Sequence, residues 1–341
     1  MCRLFALHAD APVTAEFWLL DAPYSLRAQS RFNADGTGLG HIDEEGRSHV
    51  RKRPVAAYAS EAFARAAETV TARTIIAHLR LSSGTEHTAR NTHPFLMDGI
   101  ILAHNGVLEV TQEMRRRVAR LGAARHVHGA TDSEWLAALI AGETAAHAGD
   151  LHAGLVAAVR WVAAHAPVYS LNLLAARGED LFALRLPAAN ELWVLERPAR
   201  EDPARGRPVP APPTSGEPRA LHAPLRGTVE HRSDAFAARS ADLAGTRSVV
   251  IASEPMDDDP AWRLLEVGEL LSIGADGVPR SSRPFPPLAH PLSIGDLNLS
   301  AATSQMHAAQ DRAHAERRAR LAAARPSSAL AVPAETHGIP A

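Results

Sequence analysis

The chain has one cysteine, one lysine, three tyrosines and no long apolar run. A single Cys among 341 residues excludes a disulfide scaffold, a CxxC redox pair and a cysteine-ligated zinc site. No stretch approaches the roughly 18 consecutive apolar residues of a membrane span. Asp10, Glu16 and Asp21 interrupt any signal-peptide core, so the expectation is a cytoplasmic protein. Of 36 basic residues only Lys52 is lysine, and Ala is abundant. Arginine everywhere, with matching acid, points to genome base composition. No basic stripe with interleaved aromatics appears, and the net charge is −2, which argues against a nucleic-acid binder. With 46% apolar and 22% charged residues the chain is long and mixed enough to bury a substantial core.

Residues 1–196 form one dense unit of apolar stretches and short polar turns. Strands are predicted at 3–7, 39–42, 74–81, 100–104, 171–176, 181–186 and 192–195, bounded by Gly, Asn, Asp or Pro. Helices are predicted at 60–70, 112–121, 132–146 and 151–164. Short turns between neighbouring strands favour antiparallel sheets over βαβ alternation. Between 197 and 226 there are eight prolines, which no helix or central strand tolerates, so a Pro-rich insertion is expected there. Strand-like pattern returns at 248–253 and 264–273. Residues 279–291 are Pro-rich again. Residues 301–325 have helical propensity but almost no apolar face, which predicts a helix that is solvated or docks on a partner.

Cys2 sits where removal of Met1 would make it the N-terminal residue. A terminal Cys carries a thiol and an α-amine of pKa about 7.7–8.0, so nucleophile and base come from one residue. The plainer reading is a Cys buried in the first strand. Arg80 closes an apolar strand and precedes Ser82, Ser83 and Gly84, a setting for bidentate carboxylate binding or for an Arg leaving the sheet. The segment 91–95 reads as a turn in which His93 is catalytic or structural. Asn105-Gly106 places a side-chain amide beside a backbone N–H, the donor pair of an oxyanion hole, or forms a plain hairpin turn. Asp132 opens a predicted helix, where it binds a ligand ammonium or caps the helix. The GxGxG at 36–40 is neither a dinucleotide fingerprint nor a P-loop, and Asn33–Gly36 reads as a turn into a strand. Asp257–Asp259 has the charge to bind a cation but reads first as a solvated loop or helix start, and His126 and His128 lack further ligands at metal spacing.

Together these pieces resemble the class II, N-terminal-nucleophile glutamine amidotransferases. The matching elements are CRLF at 2–5, AHLRLSSG at 77–84, NTHPF at 91–95, AHNGVLE at 103–109 and TDSE at 131–134. They occur in the family's order and at about its spacing. SLNLLAARGEDLFALR at 170–185 and ASEPMDDDPAW at 252–262 look like the stand-alone members, which include the γ-glutamyl hydrolase of ergothioneine biosynthesis. The resemblance implies an α+β fold, a four-layer αββα sandwich of two antiparallel sheets. It implies Cys2 as nucleophile with its own amine as base, and Asn105 with the Gly106 N–H as oxyanion hole. Arg80 would hold the glutamine α-carboxylate and Asp132 its α-ammonium, while Ser82, Ser83 and His93 would shape the pocket. No metal or cofactor is implied.

The expected organisation is one amidotransferase domain over 2–278, interrupted by a Pro-rich insertion at 197–245. Residues 279–341 are expected to be a linker, a thin helix and a disordered tail. Nothing after 273 is large and apolar enough to form an ammonia-consuming synthase core. Three functions follow: release of ammonia from glutamine, for a separate acceptor enzyme or to water; hydrolysis of a γ-glutamyl conjugate; or a non-catalytic glutamine-binding partner subunit. Neither nucleic acid nor membrane is an expected partner.

Overall fold

The computed structural model describes residues 1–198 and 246–306. Two antiparallel sheets lie face to face. The first has seven strands: β1 (Arg3–Thr14), β2 (Gly36–Ile42), β3 (Ser48–Arg53), β4 (Thr71–Arg80), β9 (Trp193–Arg197), β10 (Ser248–Ala252) and β11 (Arg263–Leu264). Their order is β11-β9-β10-β1-β4-β2-β3. The second has six: β5 (Phe95–Met97), β6 (Ile100–Leu108), β7 (Val168–Arg177), β8 (Asp180–Leu184), β12 (Leu270–Ile273) and β13 (Pro279–Ser282). Their order is β13-β12-β8-β7-β6-β5. Helices α1 (Leu26–Gln29) and α2 (Glu61–Thr69) cover the first sheet, and α3 (Gln112–Arg120), α4 (Asp132–Ala146) and α5 (Leu151–His165) cover the second. This is the expected four-layer αββα sandwich.

Alternation along the strands divides the core. On β1, Phe5, Leu7 and Ala9 pack toward α2, while Leu4 and Ala6 fill the gap between the sheets. On β4, Ile75, Ala77 and Leu79 face the helices and Ile76 faces the gap. On β6, Ile100 and Leu102 pack toward α4, and Ile101 and Ala103 enter the gap. Both faces of these strands are buried, which is why they read as nearly continuous apolar runs. The two-residue period then places Cys2, Arg80 and Asn105 on the gap face, at one end of the sandwich.

Each long helix begins on a side-chain cap: Ser60 Oγ accepts from Phe63 N, Thr111 Oγ1 from Met114 N, Thr131 Oγ1 from Glu134 N and Asp150 Oδ1 from Ala153 N. The cap of α4 is therefore Thr131, and Asp132 is its first helical residue.

Two expectations are corrected. Asn105-Gly106 is not a hairpin turn: it lies inside β6, opposite Asn172 and Leu171 of β7. The turn read at Asn33–Gly36 does lead into a strand: β2 begins at Gly36, three residues before the predicted start at 39. A Cβ at Gly38 would sit 2.2 Å from His93 O, so glycine there lets the strand touch the 93–94 turn. The chain after 278 is laid onto the fold. Pro279–Ser282 pairs with β12, at a sheet edge where proline's missing N–H is tolerated. Ala289 N then bonds to Ala163 O of α5, and Val168 N to His290 O. Helix α6 (Leu299–Gln305) follows, with Ala301, Ala302, Ser304 and Gln305 buried against this same chain. The remainder of the helix expected at 301–325 lies outside the described residues, as do residues 199–245 of the insertion. The flanks of the insertion are neighbours, since Arg197 of β9 pairs with Ser248 of β10.

Candidate active site

One pocket brings together Cys2, Arg80, Ser82, Ser83, His93, Gly106 and Asp132. Seven of the eight residues singled out in the sequence therefore share a wall. The eighth, Asn105, is fully buried behind Gly106, and its Oδ1 and Nδ2 have no protein partner.

Cys2 precedes β1 beside the end of β4. Its Sγ–H donates to Leu81 O at 3.5 Å, and Leu81 N–H donates back to Sγ at 3.4 Å. Burial pushes the thiol above its ordinary pKa, against the pull of the Leu81 N–H, the N-terminal charge and Arg80. The Met1 ammonium donates to Ser304 O of α6, and Met1 O accepts from Asn33 Nδ2 at 2.5 Å.

Arg80 is 3% exposed. Its Nη2 donates to Thr85 Oγ1 at 2.6 Å, Thr85 O at 3.1 Å and Ser82 Oγ at 3.2 Å. Its Nη1 is buried and unpartnered. Burial draws the guanidinium below its ordinary pKa, while Cys2 and Asp35 oppose that shift. A buried cationic donor with one free edge suits a carboxylate ligand. Asp132, at the start of α4, accepts from Ser133 N on Oδ1 at 2.8 Å and from Leu108 N on Oδ2 at 3.0 Å. A carboxylate has about four acceptor sites, so capacity remains for a cationic ligand.

Gly106 is tightly enclosed. A Cβ there would lie 1.9 Å from Ser170 O and 2.6 Å from His104 Nε2. Strand β5 pairs only with Ile100, Ile101 and Leu102, so past Leu102 the outer edge of β6 has no strand beside it among the described residues.

His93 stacks on His78 at 4.1 Å between ring centroids. Burial draws His93 well below its ordinary pKa and His78 down to about 3, so both rings are neutral at pH 7. Lys52 lies over the Phe95 ring at 4.5 Å, and burial lowers its pKa to about 8.

Sequence reasoning missed Thr85, Ser304 and Gln305. Thr85 follows the motif by one residue, and its role shows only in its hold on Arg80. Ser304 and Gln305 come from a segment with no motif at all. Gln305 is 8% exposed, and its Oε1 has no protein partner. Among the described residues no cluster of three His, Cys, Asp or Glu side chains is arranged to hold a metal ion. No helix among them is long and apolar enough to cross a membrane.

The sequence model of the family "Glutamine amidotransferases class-II" matches residues 1–204. The gamma-glutamyl-hercynylcysteine sulfoxide hydrolase of Mycolicibacterium smegmatis is 27% identical over 279 residues, which cover 77% of this chain and 91% of that protein. A glutamine aminotransferase class-II domain protein from Silicibacter pomeroyi has a similar fold, with TM-score 0.51 at 19% identity over 84% of this chain and all of that one. So has the glutamine phosphoribosylpyrophosphate amidotransferase of B. subtilis, with TM-score 0.53 at 17% identity over 83% of this chain. The chain spans about half, 49%, of that larger enzyme.

Proposed function

Because the chain belongs to the class-II glutamine amidotransferases, a family of amide-cleaving enzymes, we propose that it releases ammonia from the γ-amide of glutamine through a thioester on Cys2. The observation that carries this reading is the shared pocket: a thiol, a buried Arg80 with a free Nη1, and Asp132 with acceptor capacity left. Glutamine's α-carboxylate and α-ammonium match Arg80 and Asp132 in charge. A charge-assisted hydrogen bond of this type contributes about 1.5–3 kcal/mol. Together they orient the γ-amide over Cys2, while Ser82, Ser83 and His93 shape the walls.

Once Met1 has been removed, the Cys2 α-amine takes the thiol proton, and Sγ attacks the γ-carbonyl carbon. The developing oxyanion is met by Asn105 Nδ2 and the Gly106 N–H. The C–N bond breaks as the ammonium at Cys2 returns its proton to the departing nitrogen, leaving a γ-glutamyl thioester. Water, giving a proton to the same amine, attacks the thioester and frees glutamate and the thiol. The ammonia goes to solvent or to a separate acceptor enzyme.

A second reading is favoured by the Mycolicibacterium relative, which matches over most of its own length. The substrate is then a γ-glutamyl conjugate, and the leaving group is a larger amine. The same residues serve both reactions, since they grip the γ-glutamyl half.

The test is glutamate release by untagged protein whose N-terminus is confirmed by intact mass. L-glutamine and several γ-glutamyl amides are compared, with Cys2→Ala as control. Cys2-dependent turnover of glutamine supports the first reading, and turnover of conjugates alone supports the second. Release that persists in Cys2→Ala sinks both.

A further inference from the structure

His104 precedes Asn105 on β6, but its ring lies on the opposite face of the sheet, toward α4, and is 1% exposed. Its Nε2 is 3.3 Å from Ser170 O, and its Nδ1 is 2.8 Å from Ser133 Oγ. A carbonyl oxygen only accepts, so Nε2 carries the ring hydrogen. Burial disfavours a second proton on the ring. Nδ1 therefore offers a lone pair, and the Ser133 hydroxyl donates to it. The same Oγ lies 3.2 Å from Asp132 Oδ1, the other acceptor within its reach. A serine hydroxyl has one hydrogen, so what His104 takes, Asp132 does not receive.

We propose that His104 is a positioning residue for the substrate's α-ammonium: it draws the Ser133 hydroxyl hydrogen away from Asp132 and so keeps Oδ1 open. This rests on the reading of Asp132 as the ammonium ligand. Without an acceptor at Nδ1, the hydroxyl turns to Asp132, fills the lone pair and reduces the charge the ammonium meets. The ring is clamped from the far side by Ser170 O. Gly106 packs on that clamp, since a Cβ there would overlap both Ser170 O and Nε2. The donor edge of the oxyanion site and the carboxylate are thus joined through one imidazole.

The experiment compares L-glutamine with 4-carbamoylbutanoate, which has the same γ-amide and carboxylate but no α-amino group. Wild type, His104→Asn, His104→Gln and the double variant His104→Gln/Ser133→Ala are assayed. Asn places an oxygen near the Nδ1 position and keeps the acceptor, whereas Gln reaches toward the Nε2 position and loses it. The expected result is a rise in KM for L-glutamine of about tenfold in His104→Gln, as for loss of one charge-assisted hydrogen bond. Its kcat changes little, and KM for the des-amino compound does not move. His104→Asn stays near wild type, and the double variant recovers most of the lost affinity because no hydroxyl remains to occupy Oδ1. An equal kcat loss on both substrates, or no recovery in the double variant, overturns the proposal. The nitrogen-15 shifts of the His104 ring in wild-type protein give a second reading that needs no variant. A hydrogen on Nδ1 overturns the proposal, and a bare Nδ1 with a protonated Nε2 supports it. If wild type turns over neither compound, the γ-amide reading is what fails, and the ring shifts still decide His104.

Discussion

Thr85 holds one edge of Arg80: Nη2 donates to the threonine hydroxyl at 2.6 Å and to its carbonyl at 3.1 Å. This fixes the guanidinium and leaves Nη1 as the free donor inside the pocket. A lysine at 80 has no second nitrogen with which to divide these tasks. In Arg80→Lys the KM for glutamine is expected to rise about ten- to hundredfold, the equivalent of roughly 1.5–3 kcal/mol, with a smaller change in kcat. Steady-state kinetics on glutamine check this, and an unchanged KM removes Arg80 from the carboxylate role.

Gly106 meets the backbone of the paired strand before it meets the clamped His104 ring. The atoms that a Cβ would overlap include Ser170 O at 1.9 Å and Ser170 C at 2.4 Å, both on the paired strand β7. Gly106→Ala therefore forces β6 and β7 apart where the oxyanion donor sits. Overpacking of this kind costs about 1–3 kcal/mol of stability. Loss of one oxyanion donor lowers turnover by about 10²–10³. Urea unfolding and kcat measured on the same preparation read both effects. Full activity in Gly106→Ala shows that the donor edge tolerates movement.

Much of this fold was legible because its helices are capped and its central strands are apolar on both faces. The predicted helices at 60–70, 112–121, 132–146 and 151–164 fall within a residue of α2, α3, α4 and α5. Strand β3 was not legible. Its sequence SHVRKR has no apolar face to bury, and it forms because β2 offers it an edge. Asn105-Gly106 misled for the opposite reason. A local hairpin signal is overridden by β7, which pairs straight through the dipeptide. The site residues were readable from motif order, and alternation along β1, β4 and β6 explains why three distant motifs meet in one gap. Ser304 and Gln305 left no trace in the sequence because their place depends on where the chain is carried after β13.

Helix α6 closes the pocket from that unsignalled segment. Ser304 and Gln305 form part of its wall, and a Cβ at Gly84 would lie 3.2 Å from Ser300 Cβ, so α6 rests on the loop that follows Arg80. Ending the chain after Asn298 is expected to expose Cys2, and iodoacetamide should then alkylate the thiol several-fold faster at fixed pH. Weaker glutamine binding should accompany it, since part of the wall is gone. Alkylation at the full-length rate means that α6 does not cover the thiol.

The charges around Cys2 make a prediction with a definite sign. Burial is the main reason that the thiol titrates above its ordinary value, so at neutral pH the protonated form dominates and the thiolate grows as pH rises through the alkaline range. Alkylation by iodoacetamide follows the thiolate, and in folded protein that retains Met1, the form in which the thiol titrates high, its rate should keep rising above pH 9, where an unburied thiol is levelling off. The Asp132 carboxylate pushes the thiol up and the Arg80 guanidinium pulls it down. Asp132→Asn should therefore speed alkylation at pH 8, and Arg80→Gln should slow it. Both shifts should shrink in high salt to the extent that solvent ions reach the pocket. A rate that plateaus near pH 8.5 in protein that retains Met1, or charge variants that move it in the opposite directions, shows that the thiol does not sit in the buried setting between Leu81, Arg80 and Asp132.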